Sequence, residues 1–313
     1  MENPTKCLLL PIDGTERSLR PVEFVRRLYP AAKDLSLILC YFTPPLPPVY
    51  SGMVLESRDM MRKKTQILKQ RTEDTRRIFT DAKNALLRAG FSEGMIQEYV
   101  EQREMSVAEH ACLLADIRKV DAILVQKTVT SGLEGFLKGT SPSALLQHCL
   151  VSPIWFTEGE IDPGRAAICV VNEDASLRIA DHSGYMLSGT PAEITILHVA
   201  KSLSHPVVCS LAGAPEKLFA WAVSPAGLEM MPYLKKSAAM LRENGVEEDR
   251  IRIALIPRKS DTAHEILAWC SENGIGIIGL GHSEPEGIWS FLKTSVTRKI
   301  LADFKNMAVW VTQ

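Results

Sequence analysis

Histidines are the side chains of this sequence best suited to bind a metal or to carry a proton, and the chain has seven of them. His198, His264 and His282 fall near the ends of predicted strands or helices in the second half. Metal and acid–base sites need several groups at defined spacing, and the sequence contains neither an HxH nor an HExxH pattern. We therefore predict ordinary, partly exposed histidines, no metal site and no catalytic residue.

The cysteines have no spacing that would give zinc or redox chemistry. All seven stand singly, without a CxxC or CxxH pattern. Several fall within apolar runs that predict strands. We therefore expect small buried side chains in a reducing compartment at Cys7, Cys40, Cys112, Cys149, Cys169, Cys209 and Cys270.

Other classes of chemistry have no better support. No GxSxG pattern is present, so a hydrolase serine is not predicted. The basic run Arg62-Lys63-Lys64 is followed by Glu73 and Asp74 on the same predicted helix, which is typical of a solvated face. With a formal net charge of −1, the chain has no general attraction for nucleic acid or for an anionic membrane.

The apolar segments are those of a soluble, cytoplasmic protein. The apolar stretch at residues 7–12 is too short for the core of a signal peptide. No uncharged apolar run is long enough to span a bilayer. We therefore expect the protein to be made and kept in the cytoplasm, without a membrane partner.

The elements that must position any site alternate between strand and helix. Residues 8–12 and 122–125 are continuously apolar, as expected for strands that are covered on both faces. Apolar residues at helical spacing between 67 and 87 predict a long helix, which Gly90 would end. Strands alternating with helices require right-handed crossovers and predict α/β domains with a parallel, doubly wound sheet.

The order of short motifs in the first half of the chain recurs in the second half. Ser-Leu-Arg at 18–20 recurs at 176–178, and Phe-Leu-Lys at 136–138 recurs at 291–293, at offsets of 158 and 155 residues. A collinear series of such matches predicts an internal duplication. The chain length of 313 residues also suits two domains of ordinary size.

Polar segments rich in Pro and Gly mark the boundary and the loops. Residues 158–164 have the composition of a linker, so we predict one domain at 1–158 and a second at 165–313. Residues 43–52 and 201–227 are predicted loops. The second is unusually long for a bare loop, which suggests a lid, local disorder or a contact surface.

The first predicted strand and the turn after it resemble the opening of universal stress protein domains. Residues 11–15 are Pro-Ile-Asp-Gly-Thr, and the family has an Asp followed by Gly-Ser or Gly-Thr at the end of its first strand. The family's second motif is a glycine-spaced loop that ends in Ser or Thr after the fourth strand, and it would fall in residues 126–140 and 281–295. The resemblance occurs once in each half, and the two copies together cover nearly the whole chain. It implies two tandem, five-stranded parallel sheets with helices on both faces, of the adenine-nucleotide α-hydrolase-like type.

The resemblance also implies ATP or AMP as the ligand. In the family the Asp contacts the adenine or ribose side, and a position on the second strand helps to hold the base. The glycine-spaced loop and the helix after it direct backbone N–H groups at the phosphates. In the first copy the candidates are Pro11, Asp13, Tyr41, Gln126, Val129, Gly139, Thr140 and Ser141. In the second they are Asn172, Val199, Gly281, His282, Ser295 and Thr297.

Neither copy has the complete nucleotide-binding motif. Gln126 and Val129 stand at the two leading glycine positions of the first copy, and β-branched valine tolerates positive φ badly. In the second copy Asn172 stands for the Asp, and Glu284 would lie close to phosphate charge. The Gly, Ser and Thr residues that are retained can equally act as helix caps and turn formers.

Trp155 and Trp310 occupy the same place in the last predicted strand of each half. In the family that strand is often the edge through which two domains pair, so the resemblance implies an internal pseudo-dimer. The alternative is that each ring only fills its own core. A further homodimer and an unidentified protein partner stay open.

Three functions are consistent with these patterns. The favoured one is a regulatory or stress-response protein with weak or lost nucleotide binding that acts through protein interaction. The second is an ATP- or AMP-binding stress protein that uses one of the two incomplete sites. The third, an adenine-nucleotide hydrolase-like enzyme, lacks both an intact phosphate loop and an acid–base constellation.

Overall fold

The computed structural model describes residues 6–30, 35–51, 57–127, 142–201, 203–211, 216–282 and 296–313. Contacts divide the chain into two units. The first comprises Met1–Arg26 and Ala32–Cys149, and the second comprises Arg27–Ala31 and Leu150–Gln313. The boundary predicted between residues 158 and 165 stays a prediction, since the contacts divide at Cys149.

The sheet of the first unit has the strand order β3-β2-β1-β4, and its paired strands run parallel. Leu8, Leu9 and Leu10 at its centre are almost completely buried, as the continuous apolar run predicts. The elements from residue 6 to residue 148 are β1 (Lys6–Pro11), α1 (Glu16–Leu19), α2 (Pro21–Leu28), β2 (Leu35–Thr43), α3 (Pro48–Ser51), α4 (Arg58–Arg88), β3 (Ile96–Gln102), α5 (Val107–Arg118), β4 (Ala122–Gln126) and α6 (Pro142–His148).

The long helix α4 of 31 residues begins and ends where local side-chain chemistry dictates. The Ser57 hydroxyl accepts a hydrogen bond from the Met60 amide, which is the usual role of an N-cap serine. Gly90 follows the helix with φ +95°, so the predicted glycine stop is confirmed. No residue of α4 from Arg58 to Ile78 is buried, and its contact with the core begins at Phe79.

The sheet of the second unit has the strand order β5-β11-β10-β6-β7-β9-β8. Its central strands are parallel, whereas β5 pairs antiparallel with β11 and β8 pairs antiparallel with β9. The elements are β5 (Ile154–Glu158), β6 (Arg165–Cys169), α7 (Glu173–Leu187), β7 (Glu193–Ala200), β8 (Val207–Ser210), α8 (Glu216–Ala222), α9 (Pro225–Glu243), β9 (Ile251–Pro257), α10 (Thr262–Glu272), β10 (Ile277–Gly281), α11 (Val296–Asp303) and β11 (Met307–Thr312).

When the strands of the second unit are counted from β6 and the short antiparallel β8 is left out, each unit places its first strand between its second strand and its fourth. In the first unit β1 lies between β2 and β4, and in the second β6 lies between β7 and β10. The chain therefore leaves the first strand in one direction and later returns on its other side, which creates a switch point at the carboxyl ends of these strands. The predicted doubly wound α/β fold is confirmed.

Residues 201–227, predicted as a loop, contain a strand and a helix. β8 extends the sheet along β9, and α8 packs against α9 and β8. The prediction missed β8 because it has only four residues and follows Pro206. The shorter predicted loop at 43–52 likewise contains the single helical turn α3. Between β2 and α4 of the first unit, the described residues contain the helical turn α3 and no additional strand.

The expectation that every cysteine is a free thiol is wrong for one pair. Cys112 on α5 and Cys149 just after α6 form a disulfide, although 37 residues separate them in the sequence. Spacing alone cannot reveal such a pair, because the approach of the two helices depends on the fold. Cys7, Cys40, Cys169, Cys209 and Cys270 are not part of a disulfide.

Trp155 and Trp310 face each other across the antiparallel pair β5–β11 in the second unit. Their rings are stacked with centroids 3.9 Å apart and planes inclined by 3°. The Trp155 Nε1–H donates a hydrogen bond to Nε2 of His182, 2.8 Å away on α7. Burial lowers the pKa of His182 from 6.5 to about 3, so the imidazole is a neutral acceptor. The Trp310 Nε1–H has no acceptor in the described part of the chain.

None of the helices in the described ranges combines the length and the apolar character that a bilayer-spanning helix needs.

Candidate functional site

The turn after β1 holds Asp13 at the carboxyl edge of the first sheet. The Ile12 amide donates to the Cys40 carbonyl of β2 at 2.9 Å. Asp13 Oδ1 accepts hydrogen bonds from the Thr15 amide at 2.9 Å and from the Thr15 hydroxyl at 2.6 Å. The Thr15 hydroxyl in turn accepts from the Ser18 amide and caps α1. This closed set of bonds fixes the Asp13 carboxylate within its own turn.

Gly14 is required in this turn for two reasons. Its φ of +83° lies in the left-handed region, which residues with a side chain rarely adopt. A Cβ atom would also stand 2.8 Å from Cγ1 of Ile78 on α4. The Asp-Gly-Thr sequence of the motif therefore has a structural explanation that needs no ligand.

An arginine ties this turn to the end of β4. The Arg17 guanidinium donates to the Lys127 carbonyl at 3.1 Å, and the Ser18 hydroxyl accepts from the Asp13 amide at 3.4 Å. Asp13 and Gln126, the last residue of β4, therefore belong to the same edge of the sheet, as the sequence predicted. Pro11 ends β1 beside them.

Tyr41 fills the position on β2 where the family would hold the base. Its side chain is buried, and burial raises the pKa of the phenol. The carboxylates of Asp74 and Asp13 raise that pKa further, whereas Arg71 opposes them. A buried ring of this size occupies volume at the strand end, as expected from the sequence.

The turn after β6 repeats the anchors of the first turn with different residues. The Ser176 hydroxyl accepts from the Val171 amide at 3.1 Å, and the Arg178 guanidinium donates to the His282 carbonyl at 2.9 Å. The Asn172 side chain accepts from the Ala175 amide at 3.0 Å and caps α7. By these bonds Asn172 has the role of Thr15, and Val171 corresponds to Asp13. Asn172, which the sequence matched to the family's Asp, therefore does not make the hydrogen bonds that Asp13 makes.

Trp221, which the sequence analysis did not single out, lies close to the carboxyl end of β7. Its ring centroid is 5.8 Å from that of His198, whose Nδ1 is 2.9 Å from the Val170 carbonyl oxygen. Burial lowers the pKa of His198, and the contact with Val170 opposes this. Trp221 is carried by α8, so only an assignment of that helix within residues 201–227 could have found it. Val199 is the neighbour of His198 on β7.

Gly281 and Thr297 have structural roles in the second unit. A Cβ atom on Gly281 would stand 1.9 Å from the Ala175 carbonyl oxygen, so β10 can approach the first turn of α7 only with glycine there. Thr297 is buried in the first turn of α11. The His282 amide donates to the Thr312 carbonyl at 2.7 Å. Val129, Gly139, Thr140, Ser141, Glu284 and Ser295 lie outside the described residues.

A groove of about 540 Å³ opens beside the first turn. Thr15, Ser18 and Arg20 line one wall, and Ile78 and Ala85 of α4 line the other. Among the described residues no three His, Cys, Asp or Glu side chains are grouped as a metal site would require.

The fold and the two turns define a doubly wound α/β protein whose candidate sites lie at the strand switch points. Residues 5–153 match the family model described as Universal stress protein family. Over this segment the chain is therefore similar to the universal stress protein family. Comparison with curated proteins gives no match.

Solved structures resemble the chain over almost its full length. A universal stress protein from Archaeoglobus fulgidus DSM 4304 superposes with a TM-score of 0.60 at 13% identity, covering 99% of this chain and 97% of that one. A putative universal stress protein from Pseudomonas aeruginosa UCBPP-PA14 gives a TM-score of 0.51 at 13% identity, covering 98% and 93%. A protein of unknown function from Pseudomonas aeruginosa PAO1 gives 0.52 at 13% identity, covering 98% and 92%. At this identity the likeness concerns the fold.

Proposed function

We propose that this chain is a regulatory or stress-response protein of the universal stress protein type, with weak or lost nucleotide binding, that acts through protein interaction. The observation that carries the proposal is the internal use of the polar side chains at both turns. Asp13 Oδ1 is bonded by Thr15, and the Asn172 oxygen is bonded by Ala175. A nucleotide would have to compete with these bonds, which stabilise the turns themselves.

Close packing at the strand ends supports the same conclusion. Tyr41 is buried at the end of β2 in the first unit. Trp221 and His198 pack together at the end of β7 in the second. Nucleotide sites of this architecture need an open crevice at the switch point, so aromatic side chains there disfavour a bound base.

The proposal includes a second domain of the same family at 165–313, after a first at 1–158. Three features support it: the shared strand order, the serine that bonds the first turn (Ser18 and Ser176) and the arginine that reaches the carbonyl after the fourth strand (Arg17 and Arg178). The antiparallel pairing of β5 with β11 supports an internal pseudo-dimer of the two domains.

Binding of ATP or AMP by the first domain is the alternative function. The exposed Asp13-Gly14-Thr15 turn at the switch point favours it, because this position matches the family's motif. Asp13 itself is only partly buried, so a ligand could reach its carboxylate. This alternative and the main proposal differ in one measurable quantity, the affinity for the nucleotide.

Thermal unfolding of the full chain with ATP or AMP, each with and without Mg²⁺, separates them. A ligand at a hundredfold excess over its Kd stabilises the folded state by about 2.7 kcal/mol. We expect no shift at millimolar nucleotide. A shift that Asp13→Asn abolishes and Asn172→Ala leaves intact would overturn the main proposal in favour of nucleotide binding by the first domain. Release of labelled phosphate above the blank would instead indicate the hydrolase-like enzyme.

A further inference from the structure

Helices α5 and α6 of the first unit are joined by the Cys112–Cys149 disulfide, and the two helices are held very differently. α5 is anchored by a capping box, in which the Ser106 hydroxyl accepts from the Glu109 amide and the Glu109 carboxylate accepts from the Ser106 amide. His110 Nε2 also accepts from the Glu104 amide at 2.9 Å just before this helix. α5 is therefore fixed at its start independently of α6.

α6 depends on packing for its position. It has seven residues, and helices of that length are not stable on their own. Leu145 and Leu146 are buried, and His148 Nδ1 lies 3.8 Å from a carboxylate oxygen of Glu109. The Cys149 amide donates to the Leu145 carbonyl at 2.8 Å, so the cysteine continues the last turn of the helix. The covalent bond to Cys112 therefore joins the last turn of α6 directly to α5.

We propose that Cys112 and Cys149 form a reversible redox modification site, which exchanges with a small-molecule disulfide such as oxidised glutathione and controls the docking of α6 on α5. The pair has no role in the nucleotide or interaction function proposed above, so the two proposals stand separately.

The exchange balances as an ordinary thiol–disulfide reaction. The thiolate of one cysteine attacks a sulfur of oxidised glutathione, which forms a mixed disulfide and expels one glutathione thiolate. The thiolate of the other cysteine then attacks the protein sulfur of the mixed disulfide and expels the second glutathione. Two electrons pass from the protein to glutathione, and the two protons of the cysteine thiols end on the two glutathione thiolates.

Burial couples this chemistry to the movement of α6. Cys112 is 3% exposed and Cys149 is 0% exposed, so neither sulfur can meet a glutathione molecule while α6 is docked. Exchange in either direction therefore requires a transient opening of α6 from α5, and the bond once formed makes that opening rarer and smaller without abolishing it. Other buried cysteines have no bonded partner, and burial raises the pKa of Cys169 to about 12, which keeps it a thiol.

The test is a redox titration of the full-length chain in glutathione buffers from fully reduced to fully oxidised. After acid quenching and alkylation, mass spectrometry measures the fraction with the Cys112–Cys149 bond, and hydrogen exchange measures the protection of residues 142–148. We expect an intramolecular disulfide that forms and disappears reversibly, with roughly tenfold slower exchange in residues 142–148 when it is present. We also expect the wild-type chain to unfold roughly 5–10 °C lower after reduction.

Matched variants assign the effect to this pair. Cys112→Ser and Cys149→Ser should show reduced-state protection at every buffer ratio, whereas Cys209→Ser, which removes a cysteine outside the disulfide, should titrate as the wild type does. If the serine variants do not fold, the two redox states of the wild-type chain still decide the matter. Failure of the bond to form at any ratio, or equal protection of residues 142–148 in both states, would overturn the proposal.

Discussion

At the scale of single residues, several positions that resemble a ligand motif are fully explained by the fold. Gly281 allows β10 to approach the Ala175 carbonyl, and Gly14 allows a left-handed turn beside Ile78. Asn172 is engaged as a helix cap. Such residues would be retained by a domain that had lost its nucleotide, so their presence does not identify a ligand.

Gly281→Ala tests this explanation. The added methyl group would meet the Ala175 backbone, which cannot move aside cheaply, so we expect a loss of about 1–3 kcal/mol or more in the free energy of unfolding. Urea denaturation in the absence of nucleotide measures it. Gly94→Ala is the control, because a Cβ atom there meets nothing within 4 Å. Equal stability of the two variants would show that Gly281 has no packing role.

The buried His182 should make the protein sensitive to acid. Burial lowers its pKa from 6.5 to about 3. Between these two pH values the imidazole is therefore protonated in the unfolded chain and neutral in the folded chain. The free energy of unfolding should therefore fall as the pH is lowered from about 6.5 toward 3, by up to roughly 4 kcal/mol.

Comparison of the wild type with His182→Gln isolates this contribution. The glutamine oxygen can still accept the hydrogen bond of Trp155, but the side chain does not titrate. Denaturation at a series of pH values should give a shallower acid slope for this variant. His264→Gln, at an exposed position of α10, serves as the control. Parallel slopes for all three proteins would contradict the assignment to His182.

At the scale of elements, the first turn of α5 is capped by a serine side chain. Substitution of that serine measures how much the cap contributes to stability. Ser106→Ala removes the hydroxyl that caps α5, and we expect a loss of about 1 kcal/mol in the free energy of unfolding. Ser92 stands at the start of a single 3-10 turn and makes no side-chain cap. Ser92→Ala should therefore cost almost nothing by the same urea titration, and similar losses for both serines would argue against a capping role.

Most elements could be predicted from the sequence because their patterns are local. The apolar run at residues 8–12, the helical spacing between 67 and 87 and Gly90 each determine the backbone in their own neighbourhood. β8 and α8 escaped prediction because both are short and are stabilised by contacts with β9 and α9. Trp221 was missed with α8, since nothing in its own neighbourhood indicates that it packs beside His198.

At the scale of the whole molecule, the alternation of strands and helices predicted the doubly wound α/β fold, but contacts between distant residues could not be predicted from the sequence. The Cys112–Cys149 bond joins elements on either side of β4, and the hydrogen bond from Trp155 to His182 depends on how α7 crosses the sheet. From the Asp-Gly-Thr turn alone the sequence predicted a candidate site at the carboxyl edge of the sheet, and its use as a binding site stays a prediction. The hydrogen bonds that Asp13 and Asn172 accept within their own turns could be seen only in the structure.

The disulfide should stabilise one unit and not the other. Closing a loop of 37 residues in the unfolded chain is worth roughly 3–4 kcal/mol, and both sulfurs belong to the first unit. Reduction should therefore accelerate hydrogen exchange in β1 and β2 and leave β6 and β7 unchanged. Equal acceleration in both sheets would show that the effect of the bond is not confined to the first unit.

The exposed first part of α4 is a segment in which many substitutions should be tolerated. Between Arg58 and Ile78 no side chain is buried, so apart from the contacts of Arg71, Asp74 and Ile78 the sequence is constrained by helix propensity and charge rather than by a core. Mutations at the other positions of this segment can accumulate without loss of the folded state. It is also a natural position for a fluorophore, because a label attached there would report on the helix without disturbing the sheet beneath it.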